Sequence, residues 1–177
     1  MRTSSDSPLQ IAEVAVPGGV GIIGITLCPG KKDAYAGWDR DLAADIAAIK
    51  AWGAGAIVTL IEREEFTLLE VPDLPDKVRE YGMEWYHLPI RDLSAPSRSF
   101  EKAWSLDGPR LCAMLGDGKR VLVHCRGGLG RAGTVAAKLL IECGVAPTEA
   151  IALVRRARPG AIETSEQEAY VKSSVPM

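Results

Sequence analysis

The chain has 177 residues, of which 47% are hydrophobic and 25% charged, with a formal net charge of −2. This composition suits one compact domain over residues 1–177, and we expect residues 1–8 to form a flexible tail. The slightly acidic balance argues against a general binder of nucleic acids or anionic membranes. No apolar run reaches membrane-spanning length and no signal peptide is recognisable, which favours a cytoplasmic location.

The predicted elements alternate between strands and helices, which is typical of an α/β domain with helices covering a central sheet. Strands are predicted at Leu9–Val16, Gly21–Leu27, Ala56–Ile61, Trp85–Ile90 and Arg120–His124. Helices are predicted at Asp39–Trp52, Pro75–Tyr81, Phe100–Leu115, Arg131–Cys143, Pro147–Arg158 and Ser165–Ser173. The helix over 100–115 is expected in two pieces, because Asp107-Gly108-Pro109 interrupts its pattern.

The most informative stretch is the apolar strand that ends at His124-Cys125 and is followed by a glycine-rich loop and an Ala-rich helix. The loop residues are Arg126, Gly127, Gly128, Leu129 and Gly130, so that Cys125 and Arg131 are spaced as Cys-x5-Arg. A loop between a strand and a helix N-terminus directs backbone N–H groups at one point and favours an anion there. We expect its three glycines to allow conformations and close approaches that side chains would forbid.

The two ends of this loop indicate phosphate chemistry. Cys125 lies in a positive field, which favours a nucleophilic thiolate. Arg131 can donate two parallel hydrogen bonds to phosphate oxygens, which a lysine cannot do. These residues describe a phosphate-ester hydrolase that works through a phosphocysteine. The alternative is a buried structural cysteine beside a glycine-rich turn.

A leaving alkoxide or phenoxide needs a proton donor, which a loop that can close over the phosphate would supply. Asp92 is the best candidate, because it follows the strand over 85–90 and opens a loop containing Ser and Pro. Its rivals occupy predicted helices or turns, where they are expected to cap helices, face solvent or form turns. They are Asp39, Asp41, Asp45 and Asp107.

Other polar residues in or next to the loop are expected to support the site and not to take part in the reaction. His124 is expected to be buried, to hold the loop by hydrogen bonds and to support the thiolate. Arg126 is expected to point away from the phosphate, either as a solvated side chain or toward an acidic flank of the substrate. The four cysteines form no Cys-x-x-Cys pair and only two histidines are present, so no metal or other cofactor is predicted.

The signature His124-Cys125-x2-Gly128-x2-Arg131 resembles that of the protein tyrosine phosphatase superfamily. Nearly the whole chain is similar to its dual-specificity branch, and to the kinase-associated phosphatases in particular. The resemblance implies a cysteine-dependent phosphatase fold with a short mixed sheet flanked by helices on both faces. It implies a metal-free, two-step mechanism with Cys125 as nucleophile, Arg131 as phosphate ligand and Asp92 as general acid.

The sequence departs from the family pattern at two positions. Ala132 replaces a Ser or Thr whose hydroxyl helps the thiolate to leave, and Glu163 replaces a Gln that positions water in related enzymes. We expect slow breakdown of the phosphocysteine unless Thr134 or Glu163 compensates. Supporting roles are assigned to Glu163 and Gln167.

The expected function is hydrolysis of phosphotyrosine, phosphoserine or phosphothreonine in proteins, with a kinase among the candidate substrates. A phosphoinositide substrate is less favoured, because the loop carries only one basic residue between its ends, Arg126, and has Leu129 where a second could lie. The alternative is a phospho-binding pseudophosphatase that docks on a partner protein. A sulfur-transfer or arsenate-reducing enzyme lacks an obvious second reactive cysteine. The oligomeric state is not predicted.

Overall fold

The computed structural model describes residues 1–177. The strands are β1 (Ala12–Ala15), β2 (Ile22–Thr26), β3 (Lys32–Asp33), β4 (Trp38–Asp39), β5 (Ala54–Thr59), β6 (Glu84–His87) and β7 (Arg120–His124). The helices are α1 (Leu42–Trp52), α2 (Arg63–Leu68), α3 (Leu74–Glu80), α4 (Arg98–Gly116), α5 (Gly130–Glu142), α6 (Pro147–Ala157) and α7 (Ser165–Ser173). None of the helices is both long and apolar enough to cross a membrane.

Five strands form one mixed sheet in the order β1-β2-β7-β5-β6. β1 pairs antiparallel with β2, whereas β2, β7, β5 and β6 run parallel to one another. The carboxyl ends of these four strands therefore meet at one edge of the sheet, which is where open α/β sheets place their ligands. The predicted short mixed sheet is confirmed.

The sheet is buried on both faces, and neighbouring residues of β7 show this directly. Val121 and Val123 pack into a core shared with α4, α5, α6 and α7, whereas Leu122 packs into a second core with α1 and α3. Because side chains alternate along a strand, a strand covered on both faces must be apolar at successive positions. The predicted layers of helices on both faces are confirmed.

Helix α4 is continuous from Arg98 to Gly116, so the predicted break at 107–109 is wrong. Pro109 lies inside it and removes one backbone donor, but Phe100 and Leu111 anchor the helix in the core on both sides. A Cβ at Gly108 would come within 2.5 Å of the Trp104 ring. Gly108 therefore allows this buried indole to pack and does not mark a turn.

Two features near the site were not predicted. One is the hairpin of β3 and β4, and the other is helix α2, which starts with a capping box between Glu62 and Glu65. Helix α1 begins later than predicted: Asp41 caps it by accepting from the N–H of Ala44 at 2.7 Å. Asp45 does not face solvent, because it is buried in an ion pair with Arg40.

Residues 1–8 lie against the hairpin in this structure. The backbone of Arg2 donates to Gly37 O at 2.8 Å and accepts from the N–H of Asp39 at 3.0 Å. The guanidinium of Arg2 also stacks on Trp38, 3.7 Å from the ring centroid. The single-domain organisation and the flexibility of this tail stay predictions.

Candidate active site

The loop over residues 125–131, here called the phosphate loop, connects β7 to α5 at the carboxyl edge of the sheet. Cys125 follows the last residue of β7 and is almost fully buried. Its sulfur accepts a hydrogen bond from the backbone N–H of Gly128 at 3.2 Å. The loop therefore directs an amide at the sulfur, as the sequence predicts for an anion site.

The three loop glycines differ in what they require. Gly128 has a φ of +70°, and a Cβ there would lie 2.5 Å from the carbonyl carbon of Thr26 at the end of β2. A Cβ on Gly130 would meet the side chains of Glu163 and Gln167. Gly127 has open space and no positive φ, so the expectation that it must be glycine is wrong.

Two cations bind the outer side of the phosphate loop. Lys31 donates to the carbonyl oxygen of Arg126 at 2.9 Å. Arg158 donates to the carbonyl oxygens of Gly128 at 3.0 Å and Gly127 at 3.4 Å. Because the N–H and C=O of a trans peptide unit point in opposite directions, cations that hold the carbonyls outside help to keep the amides inside.

Burial lowers the pKa of Lys31, although Asp33 and nearby thiols oppose this shift. The sequence analysis assigned no role to Lys31 or to Arg158. They are distant from the loop in sequence, and their contacts depend on the tertiary fold.

Arg131 is fixed by carboxylates on two sides. Its terminal nitrogens donate to the two oxygens of Glu65 at 2.7 and 2.9 Å, and one of them also donates to Ile90 O at 3.0 Å. Asp92 Oδ1 lies 3.2 Å from the other terminal nitrogen. Burial opposes the charged guanidinium, but the hydrogen bonds to Glu65 hold the pKa of Arg131 above its ordinary value.

The remaining donor of Arg131 has no partner. Its Nε is the only buried side-chain nitrogen or oxygen in the chain that lacks a hydrogen bond. An orphaned buried donor costs about 1–3 kcal/mol, and a ligand that accepts from it removes this cost. The unpartnered N–H is therefore available to a ligand atom that can accept a hydrogen bond.

Glu65 is the main site residue that the sequence analysis missed. Burial favours its protonated form, yet the hydrogen bonds from Arg131 and from the backbone of Glu62 keep its pKa below the ordinary value. The capping box at the start of α2 could have indicated the helix. Only the tertiary fold places this carboxylate against Arg131.

Asp92 is the only one of the five candidate aspartates that reaches the phosphate loop. It is half-exposed, and its Oδ1 accepts from the N–H of Leu93 at 3.0 Å. The others are engaged elsewhere: Asp39 with Lys32, Asp41 at the cap of α1, Asp45 with Arg40 and Asp107 near Arg110.

The loop that follows Asp92 is tied to the start of α7. The side-chain amide of Gln167 donates to Ser94 O at 3.2 Å, and the N–H of Ala95 donates to Glu166 at 3.4 Å. Gln167 is fully buried and its oxygen also accepts from the backbone N–H of Glu163 at 3.0 Å. One side chain therefore connects the loop of Asp92 to the segment of Glu163.

His124 lies under the site in a chain of hydrogen bonds. Thr59 Oγ1 accepts from the indole N–H of Trp85 at 2.8 Å and lies 2.8 Å from His124 Nε2. His124 Nδ1 lies 3.2 Å from the carbonyl oxygen of Cys125, which can only accept. The network therefore assigns the proton to Nδ1 and makes the Thr59 hydroxyl the donor to Nε2.

Burial lowers the pKa of His124 to about 4, so the imidazole is neutral at physiological pH. Its contacts are with backbone and a hydroxyl and include no bond to the Cys125 sulfur. The expected loop-holding hydrogen bonds of this residue are present.

The side chain of Arg126 does not extend freely into solvent. It binds the buried carboxylate of Asp33 through Nε at 3.0 Å and through a terminal nitrogen at 2.9 Å. Although burial of Asp33 opposes ionisation, Arg126 and the N–H of Ala36 keep its pKa below the ordinary value. The expectation of a solvated side chain is wrong because Asp33 neutralises it. Arg126 therefore contributes its backbone to the phosphate loop.

A cleft of about 390 Å³ opens above the phosphate loop. Asp92, Glu163 and Gly127 line it together with the exposed side chains of Tyr35 and Leu93. Asp92 and Glu163 thus share one opening with Gly127 of the phosphate loop, and Asp92 also contacts Arg131, so two carboxylates lie beside the loop that begins at Cys125.

Comparison with known proteins identifies this arrangement. A model of a "Swiss Army Knife" dual-specificity phosphatase domain matches residues 35–171. The chain belongs to the dual-specificity protein tyrosine phosphatases.

Several relatives within this family are similar over most of the chain. Rat cyclin-dependent kinase inhibitor 3 is 32% identical over 84% of this chain and 69% of its own length. Human protein tyrosine phosphatase type IVA 3 is 33% identical over 74% of this chain and 70% of its own. A crystal structure of kinase associated phosphatase, with its catalytic cysteine replaced by serine, covers 93% of both chains with a TM-score of 0.83 and 28% identity.

The two departures from the phosphatase pattern have clear structural settings. Ala132 is fully buried in the first turn of α5 and offers no hydroxyl. The hydroxyl of Thr134 donates to Gly130 O at 2.7 Å, so this donor is used within the helix. Glu163 lies beside Gly130 and lines the cleft with Asp92. Of the two expected substitutes for the missing hydroxyl, only Glu163 faces the cleft.

Proposed function

We propose that the chain is a cysteine-dependent protein phosphatase that hydrolyses phosphotyrosine, phosphoserine or phosphothreonine through a phosphocysteine. The observation that carries this proposal is the unpartnered, buried Nε of Arg131, which lies six residues after Cys125 at the other end of the phosphate loop. A tetrahedral phosphate offers acceptors for this N–H and for the loop amides at once. No cofactor or metal is part of the proposal.

In the first step, the thiolate of Cys125 attacks phosphorus and the bond from phosphorus to the ester oxygen breaks. Asp92 donates its proton to the departing alkoxide or phenoxide, which leaves as an alcohol or phenol. The ion pair with Arg131 supports the placement of Asp92 near the leaving group. Arg131 and the loop amides bind the equatorial oxygens, where charge is spread in the transition state.

In the second step, water attacks the phosphocysteine and the phosphorus–sulfur bond breaks, which releases phosphate and restores the thiolate. Asp92, now ionised, accepts the proton of this water. Glu163 orients the water as an acceptor, in a role that Gln167 supports by holding the backbone of Glu163. His124 supports both steps by fixing the carbonyl of Cys125.

We propose a phosphoprotein as the substrate, and a protein kinase is the first to test because one similar structure is that of a kinase associated phosphatase. Arg126 is engaged with Asp33, which supports a protein substrate over a polyphosphorylated inositol that would need further cations. The cytoplasmic location expected from the sequence stays a prediction.

The test is stopped-flow hydrolysis of para-nitrophenyl phosphate at mildly acidic pH with a metal chelator, with Cys125→Ser as the matched variant. A chelator-resistant release that Cys125→Ser abolishes is the expected result. If the unmodified protein releases no more product than Cys125→Ser, the phosphatase function is rejected. Tight binding of phosphopeptides without release would instead favour a phospho-binding pseudophosphatase, an alternative that the buried Ala132 keeps open.

A further inference from the structure

A second groove lies next to the cleft above the phosphate loop. It has a volume of about 460 Å³ and runs between the β3–β4 hairpin and the end of α2. Tyr35, Trp38, Leu68 and Glu70 line it, and we call it the hairpin groove. Of the residues that line it, only Arg126 belongs to the phosphate loop.

The hairpin groove and the cleft adjoin each other. Asp33, Tyr35 and Arg126 line both of them, so the ion pair of Arg126 with Asp33 forms the shared wall. When a phosphorylated residue enters the cleft, one of the two directions of its polypeptide can cross this wall into the hairpin groove. The groove is thus placed to receive the residues that flank the phosphorylated one.

The groove presents two large apolar side chains to solvent. Tyr35 is fully exposed at the hairpin tip, and Leu68 is 61% exposed at the end of α2. Large apolar side chains exposed together beside a functional cleft are typical of ligand-binding surfaces. Such a surface favours an aliphatic or aromatic side chain from the ligand.

The charges of the groove disfavour an anionic ligand. Its cationic side chains are already paired, Lys32 with Asp39 at 2.6 Å and Arg126 with Asp33 at 2.9 Å. Glu70, by contrast, is exposed and makes no ion pair. A ligand with one basic side chain would complement this carboxylate, whereas a second phosphate would find no unpaired lysine or arginine side chain in the groove.

We propose that the hairpin groove is a specificity site for the substrate polypeptide. It binds an apolar side chain, accompanied by a basic one, within a few residues of the phosphorylated residue. This assignment rests on the proposed phosphatase function and specifies the class of phosphoprotein that the site selects. Tyr35 and Leu68 contact the apolar side chain, and Glu70 binds the basic one.

The test compares short phosphopeptides that differ only in one flanking residue, which is Phe, Lys or Ala at each of three positions on either side. We expect at least one position where kcat/KM is about tenfold higher with Phe than with Ala, the effect of removing one apolar side chain from water. Tyr35→Ala and Leu68→Ser should reduce this ratio to below about twofold. Glu70→Gln should remove the preference for Lys.

Leu106→Ser is the matched control, because Leu106 is an equally exposed leucine on a helix, 66% exposed on α4, and lies outside the groove. It should keep the full Phe preference and the unmodified rate on para-nitrophenyl phosphate, a substrate too small to fill the groove. No Phe preference at any position, or a preference that survives Tyr35→Ala and Leu68→Ser, would overturn the proposal. The proposal would also be overturned if Leu68→Ser lost activity only toward micellar phosphatidylinositol phosphate.

Para-nitrophenyl phosphate distinguishes failure of the proposed function from failure of the groove proposal. If the proposed function is wrong, the unmodified protein will not hydrolyse this substrate. The groove is tested in that case by the dissociation constants of the same peptides with Cys125→Ser. Peptides that bind equally well whatever their flanking residues would reject the groove independently of any chemistry.

Discussion

Glu65 binds both terminal nitrogens of Arg131, which lies 66 residues further along the chain, at 2.7 and 2.9 Å. Arg131 is almost fully buried, so the pair holds the guanidinium in one orientation before a ligand arrives. The contact uses the terminal nitrogens and leaves Nε free. The arginine is therefore oriented in advance of binding, which reduces the entropy that substrate binding must overcome.

Removal of this carboxylate should weaken both binding and folding. Glu65→Gln leaves the buried Arg131 with only the half-exposed Asp92 as a counter-charge, and we expect the free energy of unfolding to fall by about 3 kcal/mol. The affinity for tungstate, an oxyanion that mimics phosphate, should fall about tenfold because Arg131 is no longer held in place. Calorimetric titration and urea unfolding measure the two effects.

The control for this experiment is Glu64→Gln, since Glu64 is exposed on the same turn of α2 and makes no ion pair. Both quantities should stay within error of the unmodified protein. An equal loss in the two variants would mean that the net charge of α2, and not the contact with Arg131, governs binding.

The glycines of the phosphate loop should respond unequally to alanine. Gly128→Ala places a Cβ 2.5 Å from the backbone of Thr26 in a conformation with φ of +70°, so the loop must move. Displacement of the reacting groups by about 1 Å costs roughly a hundredfold in rate, which we expect for kcat/KM. Gly127→Ala enters open space and should change kcat/KM by less than about threefold. Similar losses in the two variants would contradict the geometry.

His124 should make stability depend on pH. Its pKa is lowered by burial from 6.5 to about 4, so the unfolded chain binds a proton at this residue more readily than the folded one. The resulting stability is complete above pH 6.5 and is lost as the pH falls toward 4. It amounts to about 3 kcal/mol.

Urea unfolding between pH 7 and pH 4.5 tests the contribution of His124. The unmodified protein should lose stability over this range, and His124→Asn should lose less. His87→Gln, which removes the only other histidine, serves as the control and should retain the contribution of His124. An NMR signal of the His124 imidazole that titrates near pH 6.5 would contradict the expected shift.

Restoring a hydroxyl at position 132 should accelerate turnover. Ala132 cannot donate to the departing sulfur, and the hydroxyl of Thr134 is used by Gly130 O. A hydrogen bond to a charged group is worth about 1.5–3 kcal/mol, so Ala132→Ser should raise the steady-state rate at least about tenfold. The burst of stopped-flow product release should become less distinct as the second step accelerates. An unchanged or lower steady-state rate would reject slow phosphocysteine breakdown as the limit.

The local parts of the site could be predicted from the sequence. Cys125, the loop amides and Arg131 are within seven residues of one another, so their spacing already determines how they meet. Asp92 could be selected because it follows a predicted strand and opens a loop that contains Ser and Pro. Glu65, Lys31 and Arg158 could not, because each reaches the phosphate loop only through the packing of distant elements.

The fold prediction failed where local and tertiary preferences disagree. Gly108 and Pro109 disfavour isolated helices. Helix α4 nevertheless continues through them, because its apolar face is buried both before and after this pair. The hairpin of β3 and β4 has only two residues in each strand, too few for a periodic pattern. Asp33, which neutralises Arg126, was missed with it.

The bond from Gln167 to Ser94 links the order of synthesis to the appearance of activity. Strands β5, β6 and β7 and the phosphate loop all precede α7 in the chain, so a growing polypeptide contains Cys125 and Arg131 before Gln167 has been added. Until α7 docks, the loop that follows Asp92 lacks this anchor. In terms of the proposed function, the residues of the phosphate loop are therefore synthesised before the side chain that anchors the loop of the proposed general acid.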